Sequence, residues 1–325
     1  MRRSVLVTGA FGNVGSRIVG HLLAAGHRVV ATDLSGLQTE EAAARFGKPL
    51  EVVWGNICDP AFWPRVLTGI DVVVHVAAII PPAVDRNPKL AIAVNQTATL
   101  ELVRHMESSP AAKRLIFASS MGVAGNEQHR RTPPLVAEEE PCAVDLYGKT
   151  KIECEERIRS SSLAWSILRL AVVVSPEFSS REAGNMDAMF EASATGRVEV
   201  VHNDDAGLAF ANAVDCDEAI GKILFIGGGE RCRSHVLDFY NRFFATMGLG
   251  PLKVTALRPG PPYFYGDWVD TAESQRLLAF QRYSLDEILA SRKASVGFRR
   301  WLIRPVAPLV NAMIARRSPH LARSQ

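Results

Sequence analysis

Short, unbroken apolar runs recur through the first half of the chain. Each is followed by a stretch whose apolar residues fall three and four apart. The runs lie at 4–8, 28–32, 50–54, 71–76, 114–118 and 164–170. Hydrophobicity that is continuous rather than alternating marks strands covered on both faces. The helical patterns between them lie near 13–25, 37–46, 60–68, 88–108 and 146–161. This alternation predicts an α/β fold with a Rossmann-type, doubly wound parallel sheet. After about residue 175 the rhythm loosens. A helix is expected near 184–195, another after Asp204 and Asp205, a strand at 222–226, and a helix from Ser234, as its N-cap, to Met247. A further short helix lies within GDWVDTAESQRLLAF. These pieces are too interspersed for an independent domain. Residues 1–175 are expected to form the sheet domain, and 176–325 mainly a smaller C-terminal lobe that binds substrate over the carboxyl ends of the strands.

The first run enters TGAFGNVG, with Gly9, Gly12 and Gly15 where strand hands over to helix. A helix N-terminus presents unpaired N–H groups and about half a positive charge, and glycine lets the backbone touch a ligand that any Cβ would block. The context, the first strand of a βαβ unit, is that of a dinucleotide site. Asp33 ends the second run, where a carboxylate accepts hydrogen bonds from both ribose hydroxyls and repels a 2′-phosphate. The glycines thus hold a pyrophosphate, with Phe11, Asn13 and Val14 in the same turn, and Asp33 favours NAD over NADP.

Here the chain resembles the extended short-chain dehydrogenases/reductases, the NAD-dependent epimerase/dehydratase type. The matches are TGAFGNVG, HVAA at 75–78, IFASSMGVAG at 116–125, YGKTK at 147–151, LRLAVVVSP at 168–176, VHNDDAGLA at 201–209 and DTAESQRLLAFQ. The resemblance implies that Ala77 and Ala78 pass under the adenine-side ribose. It implies that Lys151 holds the nicotinamide ribose and that Ser120, five residues before Gly125, is the hydroxyl that fixes the substrate oxygen. Ser119 would be a buried supporting hydroxyl and Asn95 a support of the active site. It also implies a homodimer through the helices at 88–108 and 147–161, the first carrying a stripe of Leu90, Val94, Ala98, Leu102 and Met106.

Tyr147 and Lys151 stand four apart in a helical pattern and so share a face. A phenol titrates near 10 and acid–base work is best near 7, a gap worth roughly 4 kcal/mol. A neighbouring ammonium and the positive ring of oxidised nicotinamide are expected to close it. Tyr147 then takes the proton of a secondary alcohol while NAD accepts the hydride. His75 and His202 read as packing or hydrogen-bonding residues, and no histidine has metal-ligand spacing, so no metal is expected.

Four departures from the family pattern bear on substrate. Met121 and Gly122 follow Ser120 where dehydratases carry Asp-Glu. Gly196 reaches Asp204 within GRVEVVHND, with only Arg197 to clamp a diphosphate. Asn56 and Ile57 stand where the family has an acid against adenine; an Asn carbonyl can still bond the adenine amino group. Val172 stands where epimerases often show Asn, and Ser175 replaces a Gly before Pro176. The expectation is an NAD-dependent oxidoreductase acting on a hydroxyl or ketone of a small or apolar substrate. A sugar or sugar-nucleotide epimerase and a non-catalytic NAD sensor stay open. The loop at 175–189, with Asn185, and RPGPPYFYGDW, with Tyr263, Phe264, Tyr265 and Trp268 as an aromatic wall, are expected to line the pocket.

Charge adds one feature. The net charge of +3 conceals eight Lys or Arg and no acid from residue 290 onward, so that of 37 basic residues 29 remain against 34 acids elsewhere. A net-acidic body gives no reason to expect nucleic acid. No apolar run reaches the roughly 18–20 residues of a membrane span. The five scattered cysteines form no CxxC pair and read as reduced thiols, and the first strand begins too soon for a secretory leader; a cytoplasmic protein is expected. The basic tail, FRRWLIRPVAPLVNAMIARRSPHLARSQ, is expected to dock on protein, either the lobe or a neighbouring subunit, and help close the pocket. The alternative is weak association with a membrane surface.

Overall fold

A computed structural model describes residues 2–47, 50–177, 189–264 and 266–321. Among these, β1 (Ser4–Thr8), β2 (Arg28–Asp33), β3 (Glu51–Trp54), β4 (Val72–His75), β5 (Arg114–Ser120), β6 (Ala164–Leu170) and, beyond β7 (Val172–Val174) and β8 (Arg197–His202), β9 (Lys222–Ile226) form the main sheet. All seven of its strands are parallel, in the order β3-β2-β1-β4-β5-β6-β9. The doubly wound expectation is met. Alternate residues of a strand feed opposite layers. Val5 and Val7 pack with Ile18 and Leu22 of the Gly15–Ala24 helix and Phe210 of the Asn203–Ala213 helix. Leu6 joins Leu102 and Met106 of the Ala98–Ser108 helix and Ile158 of the Leu146–Arg159 helix. Each such side chain contributes roughly 1.5–3 kcal/mol when fully buried, which explains why the strands carry no polar alternation. The order reverses between β1 and β4, and a ligand crevice opens at that switch point, beyond the carboxyl ends of the strands.

Several local expectations shift. β5 runs on to Ser120, carrying both serines. The 88–108 pattern is broken into Pro88–Ile92, a π-helical turn at Ala93–Thr97, and Ala98–Ser108. Of its apolar stripe, Ala98, Leu102 and Met106 go to the core, while Leu90 remains 47% exposed. Ser234 is not an N-cap: it lies in β10 (Arg233–His235), and the Val236–Thr246 helix starts after His235. Asp204 and Asp205 sit inside the first turn of the Asn203–Ala213 helix, whose cap is His202, its Nδ1 accepting from the Asp204 amide at 3.0 Å. Of the helix expected near 184–195, residues 184–188 lie outside the described residues.

A second sheet, β10-β8-β7, was not foreseen from the pattern. After β6, Ala171 still donates to Ile226 O at 3.0 Å, and then the chain leaves the main sheet and β7 pairs in parallel with β8. A third apolar core gathers behind it, with Val198, Val200, Phe239, Phe244, Ile288 and Ile314.

Candidate active site

The glycine turn is a close-packed piece of backbone. Gly9 has φ +63°, and a Cβ there would lie 2.8 Å from Ala77 Cα. A Cβ on Gly15 would lie 2.0 Å from Gly9 O. Both contacts are below van der Waals separation, so only glycine fits. The helix that follows has Val14 at its N-cap with no side chain capping it, and Ser16 N and Arg17 N donate to Gly12 O and Val14 O at 3.1 and 3.0 Å. Asn13 Oδ1 accepts from Asn203 Nδ2 at 2.9 Å, joining the turn to the start of the Asn203–Ala213 helix.

Asp33 is held at the end of β2 by two amides, Phe11 N at 3.0 Å and Leu34 N at 2.9 Å. One lone pair of each oxygen is thus used and the others stay available to hydroxyl donors. The Phe11 ring lies 5.3 Å from that of Trp54. Asn56 is exposed, and its Oδ1 accepts from Cys58 N at 3.0 Å, one of the two bonds an amide oxygen can accept. Ile57 packs against the core. Thr8 Oγ1 accepts from Val76 N and Ala77 N at 3.2 and 3.3 Å, which sets the backbone leading through Ala77 and Ala78.

His75 is buried in a relay. Its Nδ1 meets Thr8 Oγ1 at 2.8 Å and its Nε2 meets Thr99 Oγ1 at 3.0 Å, while Thr99 donates to Asn95 O at 2.8 Å. That donation makes Thr99 an acceptor toward His75 and assigns the neutral Nε2–H tautomer. Burial, with the charge of Lys151, pulls the imidazole pKa down to about 3. Asn95, inside the π turn, clamps Ile79 N and O at 2.7 and 2.8 Å. Both residues therefore hold structure, as the pattern suggested for His75.

Ser120, Tyr147 and Lys151 come together at the carboxyl end of β5. Asp145 caps the Leu146–Arg159 helix by accepting from Gly148 N at 2.8 Å, and the next turn carries Tyr147 and Lys151. Lys151 Nζ is buried, donates to Ala118 O at 2.8 Å and lies 5.8 Å from the Tyr147 ring centroid. Burial pulls its pKa down to about 8. Burial and the Asp145 carboxylate push the Tyr147 phenol above its ordinary value, and a hydrogen bond with Ser120 acts in the opposite direction. Ser120 Oγ also accepts from Gly122 N at 3.1 Å. Ser119 is buried and donates to Glu155 Oε1 at 2.5 Å. Glu155 in turn takes Arg169 through both oxygens, at 3.0 and 2.7 Å.

The NAD dependent epimerase/dehydratase family model matches residues 5–225. The chain belongs to that family. Among its relatives, "UDP-glucose 4-epimerase 4" of Oryza sativa subsp. japonica is 34% identical over 182 residues, 52% of this chain and 48% of that protein. A "3 beta-hydroxysteroid dehydrogenase/Delta 5-->4-isomerase" of Mycobacterium tuberculosis is 28% identical over 246 residues, 70% of this chain and 65% of that one. The chain thus spans about half to two thirds of the length of these relatives. The UDP-glucuronic acid 4-epimerase of Bacillus cereus, solved with UDP-glucuronic acid and NAD, superposes with a TM-score of 0.74 at 22% identity, over 90% of this chain and 98% of that one. A UDP-glucose-4-epimerase of Stenotrophomonas maltophila gives 0.76 at 22% identity, over 94% and 100%. At that identity the two structures speak to the fold alone.

In this member of the epimerase/dehydratase family, a cavity of about 1580 Å³ opens beside the glycine turn. Its walls run from Phe11 and Asn13 past residues 172–175 to the Val236–Thr246 helix and the C-terminal segment; Ser120, Tyr147 and Lys151 are not among them. The aromatic wall is not the one expected. Phe239, Tyr240, Phe243 and Phe244 line the cavity. Tyr263, by contrast, hydrogen-bonds Asn126, and Trp268 lies 5.6 Å from His235 with its Nε1 donating to Ser234 O. Tyr265 and Asn185 lie outside the described residues. Residues 239, 240, 243 and 244 form one stripe at helical spacing, a pattern legible in the sequence.

Proposed function

We propose that the protein is an NAD-dependent oxidoreductase that interconverts a secondary alcohol and a ketone on an apolar substrate. The observation that carries this reading is the engagement of Arg197, which speaks against a sugar nucleotide. Arg197, the expected diphosphate clamp, is bound through Nε and Nη2 to Asp267 at 2.6 and 2.7 Å and also donates to Gln128 O at 2.8 Å. A bidentate pair of that kind leaves little of the guanidinium for a phosphate.

The fit to the cofactor rests on the backbone cradle, where Cβ atoms at 9 and 15 would collide with the turn. Gly9, Phe11, Gly12, Asn13, Val14 and Gly15 would hold the pyrophosphate, and Asp33 the adenosine ribose. Ile57, Ala77 and Ala78 would bound the adenine side, with Asn56, whose carbonyl oxygen keeps a second lone pair for the adenine amino group. Tyr147 and Lys151 would hold the nicotinamide ribose. Bound there, NAD supplies the hydride acceptor. Lys151 Nζ, charged below about 8 and anchored on Ala118 O, stabilises a negative phenolate oxygen on Tyr147. That oxygen accepts the alcohol proton, and Ser120 Oγ donates to the same substrate oxygen. Because burial and Asp145 raise the phenol, the positive charges on the other side of Tyr147 carry the activation.

The test is incubation with NAD⁺ and a panel of secondary alcohols, hydroxysteroids and UDP-sugars. Net NADH formation with an apolar alcohol supports the proposal. Interconversion of a UDP-sugar without net NADH would replace it with the epimerase reading, and NAD binding without turnover of any panel member would replace it with a sensor.

A further inference from the structure

The C-terminal segment folds as a bent helical unit with two faces. It consists of the Arg299–Ile303 helix, a 3-10 turn at Arg304–Val306 and the Ala307–Arg316 helix. One face packs inward. Ala307 and Ile314 are buried, and Ile303, Val310 and Ile314 help wall the cavity. Ser318 Oγ donates to Ala256 O at 2.6 Å and ties down the end. The expectation that the tail docks on the lobe describes this face.

The opposite face is apolar and open to solvent. Phe298, Trp301, Leu302, Leu309 and Met313 are exposed by 73, 57, 68, 65 and 60%. Leu309 and Met313 stand one turn apart on the outer side of their helix. Arginines surround this patch: Arg299, Arg304, Arg316 and Arg317 are exposed, and the guanidinium groups of Arg300 and Arg304 sit over the Trp301 ring at 5.3 and 5.5 Å. No carboxylate occurs from residue 290 onward, although the rest of the chain is net acidic. So large an apolar patch left uncovered by the described residues is unusual on a soluble surface. The charges that this segment itself carries are all of one sign and select the occupant: a surface that is apolar beneath and negative above. No helix among the described residues is long and apolar enough to cross a membrane.

We infer that this face seats the protein on an anionic lipid bilayer. The aromatic and aliphatic side chains enter the headgroup–acyl boundary and the arginines bind lipid phosphates and carboxylates. The inference stands on the surface alone and does not depend on the proposed reaction. It does set the cavity directly behind the seated face, with the same helices forming both walls.

The full-length protein is sedimented with vesicles of phosphatidylcholine alone or mixed with phosphatidylglycerol. The expected result is binding to the mixed vesicles only, reversed by high salt. Each arginine near the surface contributes about a fivefold change in affinity, so R316A/R317A should weaken binding by roughly 25-fold. Trp301→Ser with Leu302→Ser should abolish binding, while Leu309→Lys serves as an independent probe of the same face if that pair misfolds. Unchanged NAD binding by these variants reports that the fold is kept. Failure to bind mixed vesicles, equal binding to neutral ones, or binding unmoved by all three variants overturns the inference. A particle mass in solution that falls to a single chain on Leu309→Lys would also overturn it, by assigning the patch to a second copy.

Discussion

The dinucleotide end and the C-terminal lobe are built from different materials. At the dinucleotide end, geometry is backbone. Gly9 and Gly15 let chain segments touch, Thr8 pins the amides of residues 76 and 77, and Asp33 takes two nearby N–H groups. In the lobe, geometry is buried charge reaching across the sequence. Glu199, fully buried on β8, pairs with Arg233 at 2.9 Å and accepts from Gly229 N and Val269 N. Asp267 holds Arg197, and Asp205 accepts from Arg282 Nε and from the amides of residues 282 and 283. The buried Arg292 donates to Ser175 O and sits 4.1 Å over the Phe243 ring. A backbone cradle tolerates any chain that keeps its glycines. A charge network fixes particular loops around a particular cavity, because a buried ion is stable only with its partners in place.

The largest effect should come where the two regions meet. Tyr147→Phe deletes only the phenol oxygen and is expected to lower the rate by about 10²–10⁴-fold with NAD binding retained. A variant within a few-fold of wild type in a steady-state assay would assign the proton transfer elsewhere. Next, Arg233→Met leaves Glu199 buried without its cation and should cost about 3–5 kcal/mol. The comparison requires that this loss appear first in the lobe. Denaturant unfolding followed by NAD binding should show the dinucleotide end outlasting it, and a single coincident transition would mean the two regions do not differ in this way.

Asp33→Ala tests the other side. Charge-assisted hydrogen bonds of about 1.5–3 kcal/mol predict that NAD affinity falls by about 10–100-fold while NADP gains relative to NAD. Titration showing tighter NADP binding by the unaltered protein would contradict the reading of Asp33. The smallest effect is a pH slope. His75 is neutral in the fold, its pKa held down to about 3 against about 6.5 unfolded. The unfolded chain therefore binds the extra proton first. Stability is complete above about 6.5 and is lost toward acid, by up to about 1.4 kcal/mol per pH unit. Between about pH 6.5 and 5, above the carboxylates, His75→Gln should flatten that slope in melts. An unchanged slope would move the acid sensitivity to other groups, such as His202, also lowered by burial.

Beyond Ser120, which only the family resemblance marked, the sequence by itself determined the parallel sheet, the glycine cradle, Asp33 at the end of the second strand and the shared helical face of Tyr147 and Lys151. Each of these depends on short-range rules: apolar runs that must be covered on both faces, a turn that only glycine can make, and two side chains one helical turn apart. Tertiary structure alone decided the rest. Nothing local says that residues 172–174 leave the main sheet, since Val172, Val173 and Val174 read as a continuation of β6; their pairing with β8 is what diverts them. Nothing local says that Glu199, Asp205 and Arg292 are buried, since a charged residue's environment is set by partners 34, 77 and 117 positions away. The cavity wall fell to the Val236–Thr246 helix instead of RPGPPYFYGDW because an aromatic side chain carries no mark of which neighbour it will face. The tail's pattern announced an amphipathic segment, but only packing could divide it into an inner face sealed by Ala307 and Ile314 and an outer face left to the solvent.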